Sequence, residues 1–258
     1  MTSRRPLLIA HRGGVPDEQD NSAPAFERAM LLDVDMLEFD VRQAGDGALV
    51  LLHDPVVHAE GQRLVVSDTP SDLLRQLLSW MLTLDEFFER FGQALPFNLD
   101  MKTHGFEAEV VDALRRHGLV NRALISSGHI HSLRRIAGMM FGPTLGLSRG
   151  HARTSVEFDA FFRSFKRFEE ISLPVMARLA KSGAVMLQHE SVDERLVESL
   201  HCRGLRVFTW TVDDPTEARR LARIGVDGIA SNRPALIGEA LGEGSSPAER
   251  AGLKPQRY

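Results

Sequence analysis

The sequence predicts an α/β protein folded as a (β/α)8 barrel, with a β-hairpin after the second barrel strand. Three observations predict it. Nine short apolar runs recur along the 258 residues: 7–10, 36–41, 49–52, 97–101, 123–127, 144–148, 184–188, 206–212 and 227–231. Most are separated by amphipathic stretches of helix length, which implies βα units and a parallel sheet. One pair is the exception. Residues 36–41 and 49–52 are joined through Gln43-Ala44-Gly45-Asp46-Gly47, too short for a crossover helix but suited to a hairpin. Setting aside the returning arm leaves eight strands, the number of a closed α/β barrel.

The helices follow in order. Ser22 caps a stretch with Phe26, Ala29, Met30 and Asp33 at helical spacing. Residues 82–92, 106–118, 192–204 and 214–225 are likewise amphipathic, and each ends at a glycine suited to a helix stop. Residues 55–80 are less regular, an extended polar stretch followed by a leucine-rich one. Residues 150–173 are rich in phenylalanine and predict a helix packed on or over the barrel. Residues 1–241 form the single domain, and 242–258 have the composition of a flexible tail.

Composition narrows the function. Hydrophobic residues make up 43% and charged ones 26%, enough apolar material for a sizeable core and too much for disorder. The net charge is −4, which argues against a dedicated nucleic-acid binder. With Cys202 the single cysteine, neither a disulfide framework within the chain nor a cysteine-based zinc site is available. The apolar run Leu7–Ala10 near the N-terminus is too short for a signal peptide or a spanning helix, so a cytoplasmic protein without a transmembrane segment is expected.

In such a barrel the C-terminal strand ends form the active-site rim. The first strand ends in His11-Arg12-Gly13-Gly14, the second carries Glu38 and Asp40, the next barrel strand carries Asp100 and Lys102, and the hairpin returns at His53-Asp54. A turn centred between Gly45 and Asp46 sets Glu38 opposite His53. Glu38 and Asp40 alternate with apolar neighbours and share the inward face. Two inward anions need partners. With Asp100 they make an oxygen-donor set suited to Mg²⁺ or Ca²⁺; the competing reading pairs them with Arg12, Arg42 and Lys102. His11 and His53 are either an acid/base pair or, in the case of His11, a core histidine bonded to backbone. His189 is a weaker rim candidate. Asp20-Asn21-Ser22 is a helix cap or part of the site, and Trp210 packs in the core or walls the pocket. Metal-assisted cleavage of a phosphate ester fits this set better than glycoside hydrolysis, which needs neither the histidines nor the cations.

At these residues the chain resembles the glycerophosphodiester phosphodiesterase family. The likeness runs nearly end to end: IAHRGG at 9–14, DNSAPAFERA at 20–29, LEFDV at 37–41, GDGALVLLHD at 45–54, LTLDEFF at 82–88, FNLDMK at 97–102, LISS at 124–127, FTWTVDD at 208–214 and GVDGIASNRP at 225–234. The resemblance implies a TIM barrel with a small inserted segment, here about residues 55–80. It implies His11 and His53 as the catalytic acid/base pair, and Glu38, Asp40 and Asp100 holding one divalent cation. Arg12 and Lys102 would contact the phosphate and Trp210 would line the glycerol side. The implied reaction hydrolyses a small-molecule glycerophosphodiester to sn-glycerol 3-phosphate and an alcohol. The nucleophile is either the glycerol 2-hydroxyl, through a cyclic intermediate, or water.

The chain departs from the family's usual pattern at Asp20 and Asp100, where glutamate is common, at Asp213, where asparagine is common, and at Ser231-Asn232, where Thr-Asp is common. The stretch after His53-Asp54 also differs, which bears on the leaving group. Two alternatives follow: a lysophospholipase D or related phosphodiesterase acting on acylated lipids, and a catalytically inactive barrel that binds phosphodiesters.

Overall fold

Strand and helix alternate through the computed structural model, which describes residues 5–14, 16–149 and 171–242. Strand β1 (Leu7–Ala10) leads through a single 3-10 turn to α1 (Ala23–Met30), and β2 (Met36–Gln43) turns back into the short β3 (Leu49–Leu51). An insertion follows, made of the hairpin β4 (Val56–Ala59) and β5 (Gln62–Val65) and helix α2 (Ser71–Leu77). Then come α3 (Leu84–Phe91), β6 (Phe97–Met101), α4 (Glu107–Arg116), β7 (Ala123–Ser127), α5 (Ile130–Met139) and β8 (Thr144–Arg149). Residues 171–180 are helical (α6). The remaining units are β9 (Ala184–Gln188), α7 (Glu194–His201), β10 (Arg206–Trp210), α8 (Pro215–Arg223), β11 (Gly228–Ser231) and α9 (Pro234–Leu241).

Eight strands close into a parallel barrel in the order β1-β2-β6-β7-β8-β9-β10-β11, the last pairing with β1 from Leu7↔Gly228 to Ala10↔Ser231. The expected (β/α)8 architecture is therefore present, and β3 is the antiparallel arm beside β2. The expected Phe-rich helix over 150–173 lies outside the described residues except for 171–173, and the tail is described only at Gly242.

The helix ends follow local chemistry. Ser22 Oγ accepts from the Ala25 amide at 3.3 Å, Asp193 Oδ1 from Leu196 at 3.0 Å and Asp214 Oδ1 from Thr216 at 2.6 Å. Thr83 and Glu86 form a reciprocal capping box on α3. Three of the four expected stop glycines adopt positive φ, but Gly92 keeps a right-handed φ of −60° and continues the last turn.

Alternation along the strands sorts the residues between two cores. Outward positions Phe39 and Phe97 meet Phe26 of α1 and Phe87 and Phe88 of α3, and Phe91 of α3 joins them through Phe26 and Phe87, with ring centroids 4.0 Å apart for Phe39–Phe87 and 4.9 Å for Phe26–Phe87. Such aromatic pairs contribute about 0.5–1.5 kcal/mol each beyond burial. They fix β2 and β6, whose opposite faces carry the acids. The barrel interior holds Ile9, Met36, Leu124, Ala184, Met186, Phe208 and Ala230. Toward the C-terminal strand ends the inward positions become polar, through Glu38, Asn98, Asp100, Ser126 and Ser148.

The insertion has a separate small core of Ala44, Val50, Leu52, Leu64, Val66, Leu74, Leu78 and Met81. Its two strands were not legible as such, because each is four residues long with little hydrophobic alternation.

The hairpin register differs from expectation by one residue. Val41 pairs with Leu51 and Gln43 with Leu49, and the Ala44 amide donates to Ala48 O at 2.8 Å. The loop is the three residues Gly45-Asp46-Gly47, with Gly47 at φ 88°, rather than a two-residue turn. The ladder ends at Leu51, so His53 is not a ladder partner of Glu38.

Candidate active site

The turn after β1 is built around a tight backbone. Arg12 has φ 55° and Gly13 φ 94°. A Cβ on Gly13 would lie 2.6 Å from Ala25 Cβ, so the missing side chain lets α1 close on the loop. The turn aims the Arg12 amide at Glu38, whose Oε2 accepts it at 2.9 Å. It also sets His11 Nε2 3.8 Å from the same oxygen.

Asn21, at φ 60°, ties this loop to β2. Its amide donates to Arg12 O at 2.9 Å, its Nδ2 donates to Asp40 Oδ2 at 3.0 Å, and its Oδ1 accepts the Asp40 amide at 3.1 Å. Of the alternatives left open for residues 20–22, Asn21 is part of the site's framework and Ser22 is the cap. Asp20 pairs with Arg12 at 3.1 Å.

Asp40 lies fully buried between two cations, Arg12 Nε at 3.0 Å from Oδ2 and Lys102 Nζ at 2.9 Å from Oδ1. Burial pushes its carboxyl up, but Lys102 and Arg12 outweigh that and hold it below the usual carboxylate range. Lys102 also donates to Asp100 Oδ2 at 2.8 Å, and Ser126 Oγ donates to Asp100 Oδ1 at 2.6 Å. Burial works against the ammonium, and Asp100 and Asp40 more than compensate, so Lys102 is held charged. Glu38 differs. Its burial and then the negative Asp40 and Asp100 raise its carboxyl well above normal.

One cleft is lined by His11, Arg12, Glu38, His53, Asp100 and Lys102, with Trp210 on its wall. Seven of the eight expected site residues therefore line one opening. The eighth, Asp40, lies behind it and touches both phosphate-binding candidates. His53 gets there by its backbone: Arg42 Nε donates to His53 O at 2.8 Å just past the end of the ladder. Its Nδ1 lies 2.8 Å from Asp54 Oδ1. His189 stays apart, paired with Glu217 at 3.1 Å and Glu190 at 3.6 Å. Trp210 lines the cleft and also packs against the barrel-interior core, and its buried Nε1 makes no hydrogen bond among the described residues.

Sequence reasoning missed Asn98, Ser126, Ser148 and Met186 in the lining. Asn98 was the most accessible of these, since it lies two residues before Asp100 and hence on the same face. Asn232, whose Oδ1 lies 2.8 Å from His11 Nδ1, was noticed only as a departure from a pattern.

The donor set can be tested against a hard cation. With all groups ionised, Glu38, Asp40 and Asp100 exceed Arg12 and Lys102 by one negative charge, which would repel a phosphodiester. A divalent ion reverses that sign, and carboxylate oxygens are its natural donors. Among the described residues no three histidine, cysteine or acidic side chains cage a metal by themselves. Glu38 and Asp100 on the cleft wall nevertheless fit an ion whose shell is completed by water and substrate oxygens.

A barrel with histidines, acids and cations gathered at the C-terminal ends of its strands defines a phosphodiester-cleaving enzyme. Residues 11–236 match the glycerophosphoryl diester phosphodiesterase family. The chain belongs to that family and is a phosphoric diester hydrolase. It is 29% identical over 252 residues to the glycerophosphodiester phosphodiesterase of Caldanaerobacter subterraneus subsp. tengcongensis, covering 90% of this chain and 96% of that one. It is 23% identical to a lysophospholipase D of Mus musculus, covering 90% and 85%. Its fold matches an Oleispira antarctica phosphodiesterase solved with the product sn-glycerol-3-phosphate, with TM-score 0.74, 23% identity and coverage of 93% and 98%. Among the described residues no helix is long and apolar enough to cross a membrane.

Proposed function

We propose that this chain hydrolyses glycerophosphodiesters to sn-glycerol 3-phosphate and an alcohol, with His11 as general base, His53 as general acid and one divalent cation, Mg²⁺ or Ca²⁺, as cofactor. The observation that carries this reading is the presence of two unlike histidines in one cleft. His11 is buried, and that burial followed by the positive Arg12 lowers its affinity for a proton, so it is neutral and able to accept one. His53 is 39% exposed at the mouth and backed by Asp54, the position for handing a proton to a departing alcohol.

The steps follow from these positions. Arg12 and Lys102 bind the phosphoryl oxygens and stabilise charge developing on them. His11 Nε2 takes the proton of the attacking oxygen, the glycerol 2-hydroxyl or water. As the bond from phosphorus to the leaving oxygen breaks, His53 protonates that oxygen; water attack then gives glycerol 3-phosphate directly, whereas 2-hydroxyl attack gives a cyclic phosphate that water opens, His53 taking the water's proton and His11 returning its own to the 2-oxygen. Glu38 and Asp100 would hold the cation, which when bound adds positive charge to the phosphate site. Asp40 would act by holding Arg12 and Lys102. Trp210 would wall the glycerol side with its indole ring. A cytoplasmic location belongs to the same proposal.

Purified protein with Mg²⁺ or Ca²⁺ is expected to release glycerol 3-phosphate from glycerophosphocholine, glycerophosphoethanolamine or glycerophosphoglycerol, and EDTA to stop it. No release from any of these, with EDTA without effect, would refute the assignment. Faster turnover of lysophosphatidylcholine than of glycerophosphocholine would move the substrate to acylated lipids. The similarity to a lysophospholipase D makes that arm necessary.

A further inference from the structure

Three neighbouring strands carry a chain of hydrogen bonds that ends on His11. Asp213 follows β10, Asn232 follows β11, and His11 follows β1. Asp213 Oδ1 accepts from Ser231 Oγ at 2.9 Å and from the Asn232 amide at 2.8 Å, and Asp213 Oδ2 accepts from Asn232 Nδ2 at 3.0 Å. A carboxylate only accepts, so the amide nitrogen of Asn232 must face it. Turning the amide over would set Oδ1 against a carboxylate oxygen, acceptor against acceptor.

The consequence falls on the other end of Asn232. Its Oδ1 faces His11 Nδ1 at 2.8 Å. An amide oxygen also only accepts, so Nδ1 must carry the hydrogen, and the ring's lone pair lies on Nε2. That atom is the one on the Glu38 side of the ring.

We infer that Asp213, acting through Asn232, is a positioning residue that fixes His11 as the Nδ1–H tautomer and leaves Nε2 free to take the substrate's proton. The second half rests on the reading of His11 as base; the first half stands on the bonds alone. Neither Asp213 nor Asn232 lines the cleft, so their effect on the reaction runs through the orientation of the imidazole.

Single and paired substitutions separate this from a merely structural role. In Asp213→Asn the side-chain oxygen must keep facing the Ser231 hydroxyl and the Asn232 backbone N–H, a donor that cannot turn, so the new NH2 group faces Asn232 Nδ2. That drives the Asn232 side chain to turn over, and His11 then accepts at Nδ1 and carries its hydrogen on Nε2. In the double variant Asp213→Asn with Asn232→Asp, the carboxylate at 232 accepts from both His11 and the new amide, and the original tautomer returns.

The readout is the ¹⁵N spectrum of the imidazole nitrogens, with the His11 signals assigned by their loss in His11→Ala. Wild type should show hydrogen on Nδ1. Asp213→Asn should show it on Nε2, with kcat down about 10²–10⁴-fold and KM little changed. The double variant should regain the wild-type tautomer and most of kcat. If Asp213→Asn does not fold, Asn232→Asp against the double variant gives the same comparison, with the double variant the more active.

Hydrogen on Nε2 in wild type, an unmoved tautomer in Asp213→Asn, or a double variant no better than the singles would overturn the relay. A tautomer that switches as expected while turnover stays constant would uphold the relay and instead remove His11 from the role of base.

Discussion

Lys102 Nζ stands 2.9 Å from Oδ1 of Asp40, a carboxylate whose side chain is only 1% exposed. The pair joins a cation on the cleft wall to the buried acid at the centre of the polar floor. Lys102→Met should lower kcat/KM about 10²–10³-fold, the usual loss when one charge-stabilising donor is removed. Asp40 keeps Arg12 and Asn21, so the stability loss should stay near 1–3 kcal/mol rather than that of a fully abandoned buried charge. Initial rates and urea denaturation of the variant check both; wild-type turnover would remove Lys102 from the phosphate site.

The pH profile should reflect His11. Burial, and after it the positive Arg12, lowers its proton affinity, so the native ring stays neutral in a window below the ordinary value of about 6.5 where a free histidine would be charged. A base must be unprotonated, so the acid limb of kcat/KM should lie below about pH 6.5. The unfolded chain binds more protons than the native one in that window, so this group makes stability rise with pH there and its contribution fades as pH falls. A limb at or above the ordinary histidine value would contradict the neutral base.

Glu86 gives a second test, away from the cleft. Arg75 binds both its oxygens at 2.7 Å, and with Thr83 this lowers the carboxyl to about 2. A lowered acid contributes stability above its unfolded value of about 4.3, and that contribution is lost as pH falls toward the native value. Glu86→Gln should cost about 0.5–1.5 kcal/mol at neutral pH, modest because the carboxylate is partly exposed. The gap between wild type and variant in chemical denaturation should shrink between about pH 5 and 3; a gap that widens on acidification would reject the capping role.

Gly13→Ala should destabilise the protein by about 1–3 kcal/mol, combining an unfavourable φ with a methyl pressed on Ala25. Because the same turn presents the Arg12 amide to Glu38, turnover should fall as well. A thermal midpoint and specific activity equal to wild type would show that the loop relaxes freely.

The barrel was legible because its strands are short apolar runs with helices between them, and because Gln43–Gly47 could not span a crossover. The carboxylates of Glu38, Asp40 and Asp100 and the cations beside them were legible for a related reason: period-two alternation and strand-end position place such residues without any knowledge of loops. What escaped depended on loop geometry. The three-residue turn at Gly45–Gly47 shifts the hairpin by one, which inverts the faces of a ladder built on the shorter turn. Trp210 is ambiguous by type because an indole suits either a core or a wall. Asn21, Asn98 and Asn232 were faint because asparagine is common in caps and turns, and only their partners reveal the work each does.

Consecutive leucines before His53 belong to different cores: Leu51 packs with the barrel and Leu52 with the insertion. His53 is thus mounted on a seam, whereas His11 is anchored to the first barrel strand. Their spacing is a joint property of two hydrophobic units. A rebuilt insert would shift His53 against His11 while the strands that carry His11, Glu38 and Asp100 kept their places.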